Sequence, residues 1–279
     1  MTAIPLPIIP SQPVTYGLGG NHIDLLSITG VSNEVIDKGA LGQFYCDSTA
    51  FTQLVCQPVG VPRDDKAVNT VAASERFEPI LLGSAFACQP NPSQPDRIST
   101  LAHYSLSLHE WQRIATTIHS NPSALVGVRN WADEATEVVA PISGLAGLTN
   151  TISGLLDAAG CACWGAGEQY LHVPKQFMPF FAQDHLVRWQ GEKAYIGFLN
   201  VVFDCYPNTP PTVNVGGAAA ADGSEVWMYL TGDQWIGLGD VYETRAGYTR
   251  QNEDVSLVER HALGVFDPCC VFAAKASVC

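Results

Sequence analysis

The stretch CACWGAGEQYLHVPKQFMPFF, Cys161 to Phe181, sets two thiols one residue apart and places a histidine, His172, further along. Thiolate sulfur and imidazole nitrogen are zinc ligands, so Cys161, Cys163 and His172, with Cys205 as a fourth donor, spell out a zinc-dependent hydrolase as one reading. Structural zinc sites pair their ligands two to four residues apart, in two pairs. One Cys-x-Cys with one histidine is half of such a site. The reading that needs no ion has packing thiols where a helix gives way to a strand, with His172 in the strand, and it is the one favoured here. Cys269 and Cys270 are adjacent. In a strand, neighbouring side chains point to opposite faces and cannot share an ion, so these too are expected to be packing thiols. A cross-link to Cys279 has no support in the spacing.

Other motifs fail on inspection. His109-Glu110-Trp111-Gln112-Arg113 starts like a zinc-protease helix but has Arg113 where the second histidine belongs. Glu110 and Arg113 are then expected to form an exposed helix pair. The glycines around Gly17 and Gly165 lack the spacing of a dinucleotide-binding turn, and neither a phosphate loop nor a serine-nucleophile elbow occurs. Asp47, Asp204, Asp233 and Glu259 are dispersed, which leaves paired-carboxylate catalysis without a handle. The expectation is a chain with no catalytic, cofactor-binding or metal site, and not an enzyme.

Composition narrows the class further. The chain has 279 residues, 27 acidic against 14 basic, for a formal charge of -13, with 47% hydrophobic and only 15% charged residues. That length buries a core without staples, and a mean hydropathy of +0.09 lies far from the disordered class. No run of Lys or Arg exists to displace counterions from a phosphate backbone, which excludes nucleic-acid binding by a basic patch. An acidic chain can still enclose DNA without adhering to it. Prolines at 5, 7, 10 and 13 interrupt the N-terminus, which lacks the basic start and apolar core of a signal peptide. No apolar run approaches the roughly 20 residues of a membrane helix. The expectation is a soluble chain made in the cytoplasm, and its nine cysteines are expected to be reduced and mostly buried.

The elements follow from periodicity. Residues 1–20 read as an extended arm. Gly39 to Cys56 and Arg76 to Cys88 are rich in aromatic and β-branched residues and read as the strands of a long hairpin with a projecting tip. A helix is expected from Asp96, as N-cap, to Asn121-Pro122, with Leu101, Tyr104, Leu108, Trp111, Ala115 and Ile118 as its apolar stripe. A second helix has Ser143 as cap, Leu145, Leu148, Ile152, Leu155 and Ala159 as stripe and Gly160 as stop. EQYLHV is strand-like, and a helix opened by Pro174 buries Phe177, Phe180 and Phe181. Ala194 to Cys205 reads as one strand buried on both faces. EVWMYLTG, WIGLGDVYETR and DVSLVERHALGVFDPCCVFAAKAS supply the closing strands.

This order resembles the major capsid proteins of tailed bacteriophages, those of actinobacterial hosts in particular. The resemblance rests on RFEPILLGSAFAC, DRISTLAHYSLSLHEWQRIATTIH, ISGLLDAAGCACWGAGEQYLHVPKQFMPFFAQDHLVRWQGE and the closing SEVWMYLTGDQWIGLGDVYE and RQNEDVSLVERHALGVFDPCCVFAAKA. It implies an α+β, HK97-like capsid fold. Residues 1–38 would be an N-terminal arm, 39–90 an extended hairpin loop with its tip near Val61 to Lys66, and 91–142 a peripheral domain with the spine helix. Residues 143–240 would be an axial domain, and 241–279 strands returning to the periphery. It also implies hexamers and pentamers of an icosahedral head around double-stranded DNA, located in the virion capsid, with portal, scaffold and decoration proteins as further partners and no membrane. A connector or decoration protein, or an encapsulin-type compartment shell, is the alternative within structural proteins.

Overall fold

The computed structural model describes residues 40–44, 73–88, 97–137, 147–162, 168–191, 193–212, 224–232, 234–246 and 254–277. The arm, the hairpin tip, Asp96, Ser143, Leu145 and Cys163 lie outside these residues. Four helices are described: α1 (Arg97–Ser120), α2 (Trp131–Glu134), α3 (Leu148–Ala162) and α4 (Met178–Gln183). Twelve strands run in chain order as β1 (Ala40–Phe44), β2 (Ala73–Phe77), β3 (Ile80–Cys88), β4 (Thr136–Glu137), β5 (Tyr170–Pro174), β6 (Arg188–Gln190), β7 (Lys193–Ile196), β8 (Leu199–Asp204), β9 (Glu225–Thr231), β10 (Gln234–Ala246), β11 (Asp254–Phe266) and β12 (Val271–Ser277).

They form three sheets: a β1-β2 ribbon, a three-stranded β10-β11-β3 sheet, and a seven-stranded sheet ordered β4-β12-β9-β5-β8-β7-β6. The ribbon pairs Ala40 with Phe77 and Phe44 with Ala73, as the base of a hairpin does. In the large sheet β5 and β8 are parallel and β9 is antiparallel to both β5 and β12.

Two cores result from the period-two alternation of the large sheet. On one face Leu171, Val173, Val201, Phe203, Met228, Leu230, Ala274 and Ala276 pack under α3 and α4, which contribute Leu148, Ile152, Leu155, Ala159 and Phe181. On the other face Tyr170, Val202, Trp227, Tyr229 and Ala273 join Trp131 of α2, the end of α1 and the inner face of the three-stranded sheet. The expected stripe of α3 holds at Leu148, Ile152, Leu155 and Ala159, and the helix runs past Gly160 to Ala162.

α1 spans 24 residues and rests on β3 and β11. Its buried residues are Ala102, Leu106, Ile114, Ala115, Ile118 and His119, so the stripe predicted on Leu101, Tyr104, Leu108 and Trp111 is rotated by about one position. The small Ala102 and Ala115 permit a close approach to the sheet. At Gly264 a Cβ atom would stand 2.5 Å from Ile118 Cδ1. The helix stops at Asn121, whose φ of 42° is the left-handed cap conformation asparagine tolerates, and whose N–H donates to Thr117 O at 2.9 Å.

Two further expectations are revised. Ala194 to Cys205 is two strands, because Gly197 adopts a φ of 63° and turns the chain back, leaving Phe198 at the turn fully exposed. The closing segment is broken by a 3₁₀ turn, Pro268–Cys270, which the Asp267 side chain caps by accepting from Cys269 N–H. Pro268 has no N–H to continue the ladder of β11, so the chain leaves one sheet here and enters the other as β12.

Candidate functional site

His172 sits in the middle of β5, fully buried. Its Nδ1 lies 3.3 Å from the Tyr206 hydroxyl, and its Nε2 lies 2.9 Å from Thr231 Oγ1 and 3.0 Å from the side-chain nitrogen of Gln234. Both ring nitrogens therefore have side-chain partners. Neither ring nitrogen is left to ligate a metal. Cys205 is exposed and free. The β5–β8 register sets His172 beside Val202, which puts Cys205 about 10 Å further along at ~3.3 Å per residue. Among the described residues no three His, Cys, Asp or Glu side chains are grouped to hold a metal ion. The zinc reading built on Cys161, Cys163, His172 and Cys205 has no His172 to use.

The expectation of reduced packing thiols is corrected at Cys269 and Cys270. Both are disulfide-bonded, and they occupy a turn and not a strand. The expected Glu110–Arg113 pair is also corrected. Glu110 accepts from Arg260 of β11 at 2.9 Å, and the same guanidinium donates through Nε to Gly239 O. β11 crosses the helix there, so a fixed partner displaces a flexible neighbour. His109 Nδ1 donates to the Ser105 carbonyl at 2.8 Å on the exposed side of α1. Asp204 is a local cap, accepting from Cys205 N–H at 2.7 Å.

What the fold brings together is a buried aromatic joint that sequence reasoning missed. His119, at the end of α1, stacks on Tyr206 at 5.4 Å between ring centroids and meets Tyr229 at 4.6 Å and Trp131 at 5.8 Å. Trp131 in turn lies 4.1 Å from His172. Asn130 caps α2 by accepting from Asp133 N–H at 3.0 Å, which places Trp131 at the start of that helix. Burial lowers the His119 pKa to about 3 and raises those of Tyr206 and Tyr229, with Asp204 adding to the effect on Tyr206 and Asp133 on Tyr229. All three are neutral near pH 7. They join the long helix to the face of the large sheet.

Apolar groups that this packing leaves uncovered sit at the extremities. Phe198 and Val126 are almost completely exposed, and Trp189, on the exposed edge strand β6, stacks on Phe203 at 6.1 Å. A shallow groove of about 410 Å³ runs between β3 and α1, lined by Leu81, Leu82, Ser105, His109 and Arg113 among others.

No protein-family model and no curated protein sequence matches the chain. Its fold, by contrast, has relatives among solved structures. The capsid of an empty GTA particle superposes with a TM-score of 0.52 over 86% of this chain and 83% of that chain, at 12% identity. The capsid of the native GTA particle gives 0.51 over 86% and 84%, also at 12% identity. The structure from Gordonia phage Cozz gives 0.51 over 85% and 80%, again at 12% identity. The chain has the α+β, HK97-like capsid fold.

Proposed function

We propose that this chain is the major capsid protein of a tailed bacteriophage, a structural subunit and not an enzyme. The observation that carries the reading is the shared fold over more than four-fifths of both chains with the capsid of an empty GTA particle. Large apolar side chains, Phe198, Val126 and Trp189 among them, stand uncovered on loops and an edge strand. Obligate assemblies cover such groups.

In this reading residues 1–38 are the arm, 39–90 the extended loop, 91–142 the peripheral domain with α1 as spine helix, 143–240 the axial domain, and 241–279 the returning strands. The aromatic joint of His119, Trp131, His172, Tyr206 and Tyr229 then links the peripheral and axial domains, so that a subunit transmits stress from shell edge to capsomer centre as one body. The chain assembles into hexamers and pentamers of an icosahedral head in the host cytoplasm. It encloses double-stranded DNA without gripping it, a reading that the charge of -13 supports. Portal, scaffold and decoration proteins are its further partners.

Negative-stain electron microscopy and light scattering of the expressed chain test the reading. Closed particles or isolated capsomers are expected. A chain that stays monomeric at all concentrations, with the proteins encoded beside it present, overturns it.

A further inference from the structure

The three-stranded sheet β10-β11-β3 ends in two open edges. Among the described residues no strand pairs with β3 on the side away from β11, and none pairs with β10 on its far side. In an antiparallel ladder every second residue directs both its N–H and its C=O away from the partner strand. Each edge is therefore a row of backbone donors and acceptors ready to pair with another strand.

The groove between β3 and α1 lies on the first of these edges. Its β3 wall is Leu81 to Ala85, five successive residues, and no described residue of β11 lines it. Successive strand residues point to opposite faces, so five in a row line one groove only along the rim of the strand. The other wall is α1, through Ser105, His109 and Arg113. Arg113 is exposed, and its guanidinium meets no hydrogen-bond or ion-pair partner among the described residues.

The second edge matches the first. Asp240 to Thr244 of β10 are exposed at five successive positions, which leaves both faces and the rim of that stretch uncovered. Each stretch spans about 17 Å at ~3.4 Å per residue, enough for about five backbone hydrogen bonds between them. Leu81 is 57% exposed on β3, and Val241 and Tyr242 are 38% and 49% exposed on β10. The ladders set Gly83, Glu259 and Tyr242 in one row, so Leu81 and Tyr242 lie on the same face of the sheet. Charge is complementary as well: Arg113 gives the β3 edge a cation, whereas Asp240 and Glu243 give the β10 edge carboxylates.

We infer that the groove at β3 receives the β10 edge of a second copy of this chain, so that the sheets of neighbouring subunits join into one. The contact takes one edge from each copy, and head-to-tail contacts of this kind close into rings where the rotation permits. The inference rests on the reading of this chain as a shell subunit and names one surface on which the subunits meet.

Hydrogen exchange of the full-length chain, read by mass spectrometry, compares isolated subunits with capsomers or particles. Peptides covering Leu81 to Ala85 and Val241 to Thr244 are expected to exchange at least ~10-fold more slowly after assembly. Assembly with no added protection in either segment overturns the inference and leaves the shell reading intact, whereas a chain that never assembles overturns both. A second measurement blocks the edges singly. Of Gly83→Pro and Ser84→Pro, one removes an N–H that faces β11 and the other an N–H that faces the open rim. The variant that keeps the circular dichroism and unfolding midpoint of the parent is used, and Val241→Pro and Tyr242→Pro serve β10 in the same way. Each chosen variant alone is expected to stay at subunit mass in analytical ultracentrifugation, and an equimolar mixture to form a species of twice that mass through its one intact pair of edges. Particles formed by either variant alone, or a mixture that holds only subunits, overturn the inference.

Discussion

Acid should destabilise this fold through His119, and the size of the effect follows from its burial. The imidazole is enclosed by Tyr206, Tyr229 and Trp131, and its pKa is lowered from 6.5 to about 3 by desolvation. The unfolded chain takes up a proton at this residue below about pH 6.5, whereas the folded chain refuses it until about pH 3. Between those values the unfolded state holds more protons, so stability falls as pH falls. At pH 5 the unfolded residue is ~30-fold more often charged than neutral, which costs the fold about 2 kcal/mol relative to pH 7.5. That figure depends on the ordinary imidazole pKa and hardly on the native one, provided the latter lies well below 5. The comparison variant is His119→Phe, which keeps a flat ring in the joint and cannot be protonated. Urea unfolding of both proteins at about pH 7.5 and about pH 5, followed by tryptophan fluorescence, separates this residue from the other titrating groups. The parent chain should lose about 2 kcal/mol more than the variant over that interval, even if the variant is less stable at both pH values. Parallel pH dependence in the two proteins would refute the claim that His119 is held neutral by burial.

Three further outcomes test the packing and the proposed assembly. Gly264→Ala, which drives a methyl group into Ile118, should cost about 1–3 kcal/mol of thermal stability by overpacking, and Ile118→Val should recover part of it. Because the inner face of α1 runs through Ile114, Ile114→Ala should cost about 2–5 kcal/mol, and Trp111→Ala, at a half-buried site, should cost less in the same denaturation assay. Phe198→Asp, at a fully exposed turn, should leave unfolding of the isolated subunit within about 0.5 kcal/mol and reduce particle yield in electron micrographs if Phe198 faces another subunit.

Element identity was legible wherever local chemistry and tertiary demand coincide. α3 shows this: Leu148, Ile152, Leu155 and Ala159 recur at three and four residues and all face the sheet. The register of α1 was not, because large side chains were weighted above small ones. Ala102 and Ala115 are fully buried and Trp111 only in part, since the helix lies close to the sheet, as Ile118 against Gly264 shows, and small side chains fit that approach. A sequence pattern reports hydrophobicity, whereas the depth of packing between helix and strand is set by a partner far away in the chain. The break at Gly197 had a local signal, a single glycine in an apolar run, and it was outweighed by the length of that run.

The chemistry-bearing residues were harder for a related reason. His172 looked like half of a metal site because its three polar contacts come from Tyr206, Thr231 and Gln234, each at least 34 residues away. His119 carried no motif at all, only a place in the last turn of a helix whose end strikes the large sheet. The cysteines show the limit most directly. Adjacent thiols at Cys269 and Cys270 were dismissed as metal ligands because neighbours in a strand diverge. The Asp267 cap and Pro268 make the segment a turn instead, and both residues are disulfide-bonded, a state that their spacing in the sequence does not announce because it is set by where the turn lies in the fold.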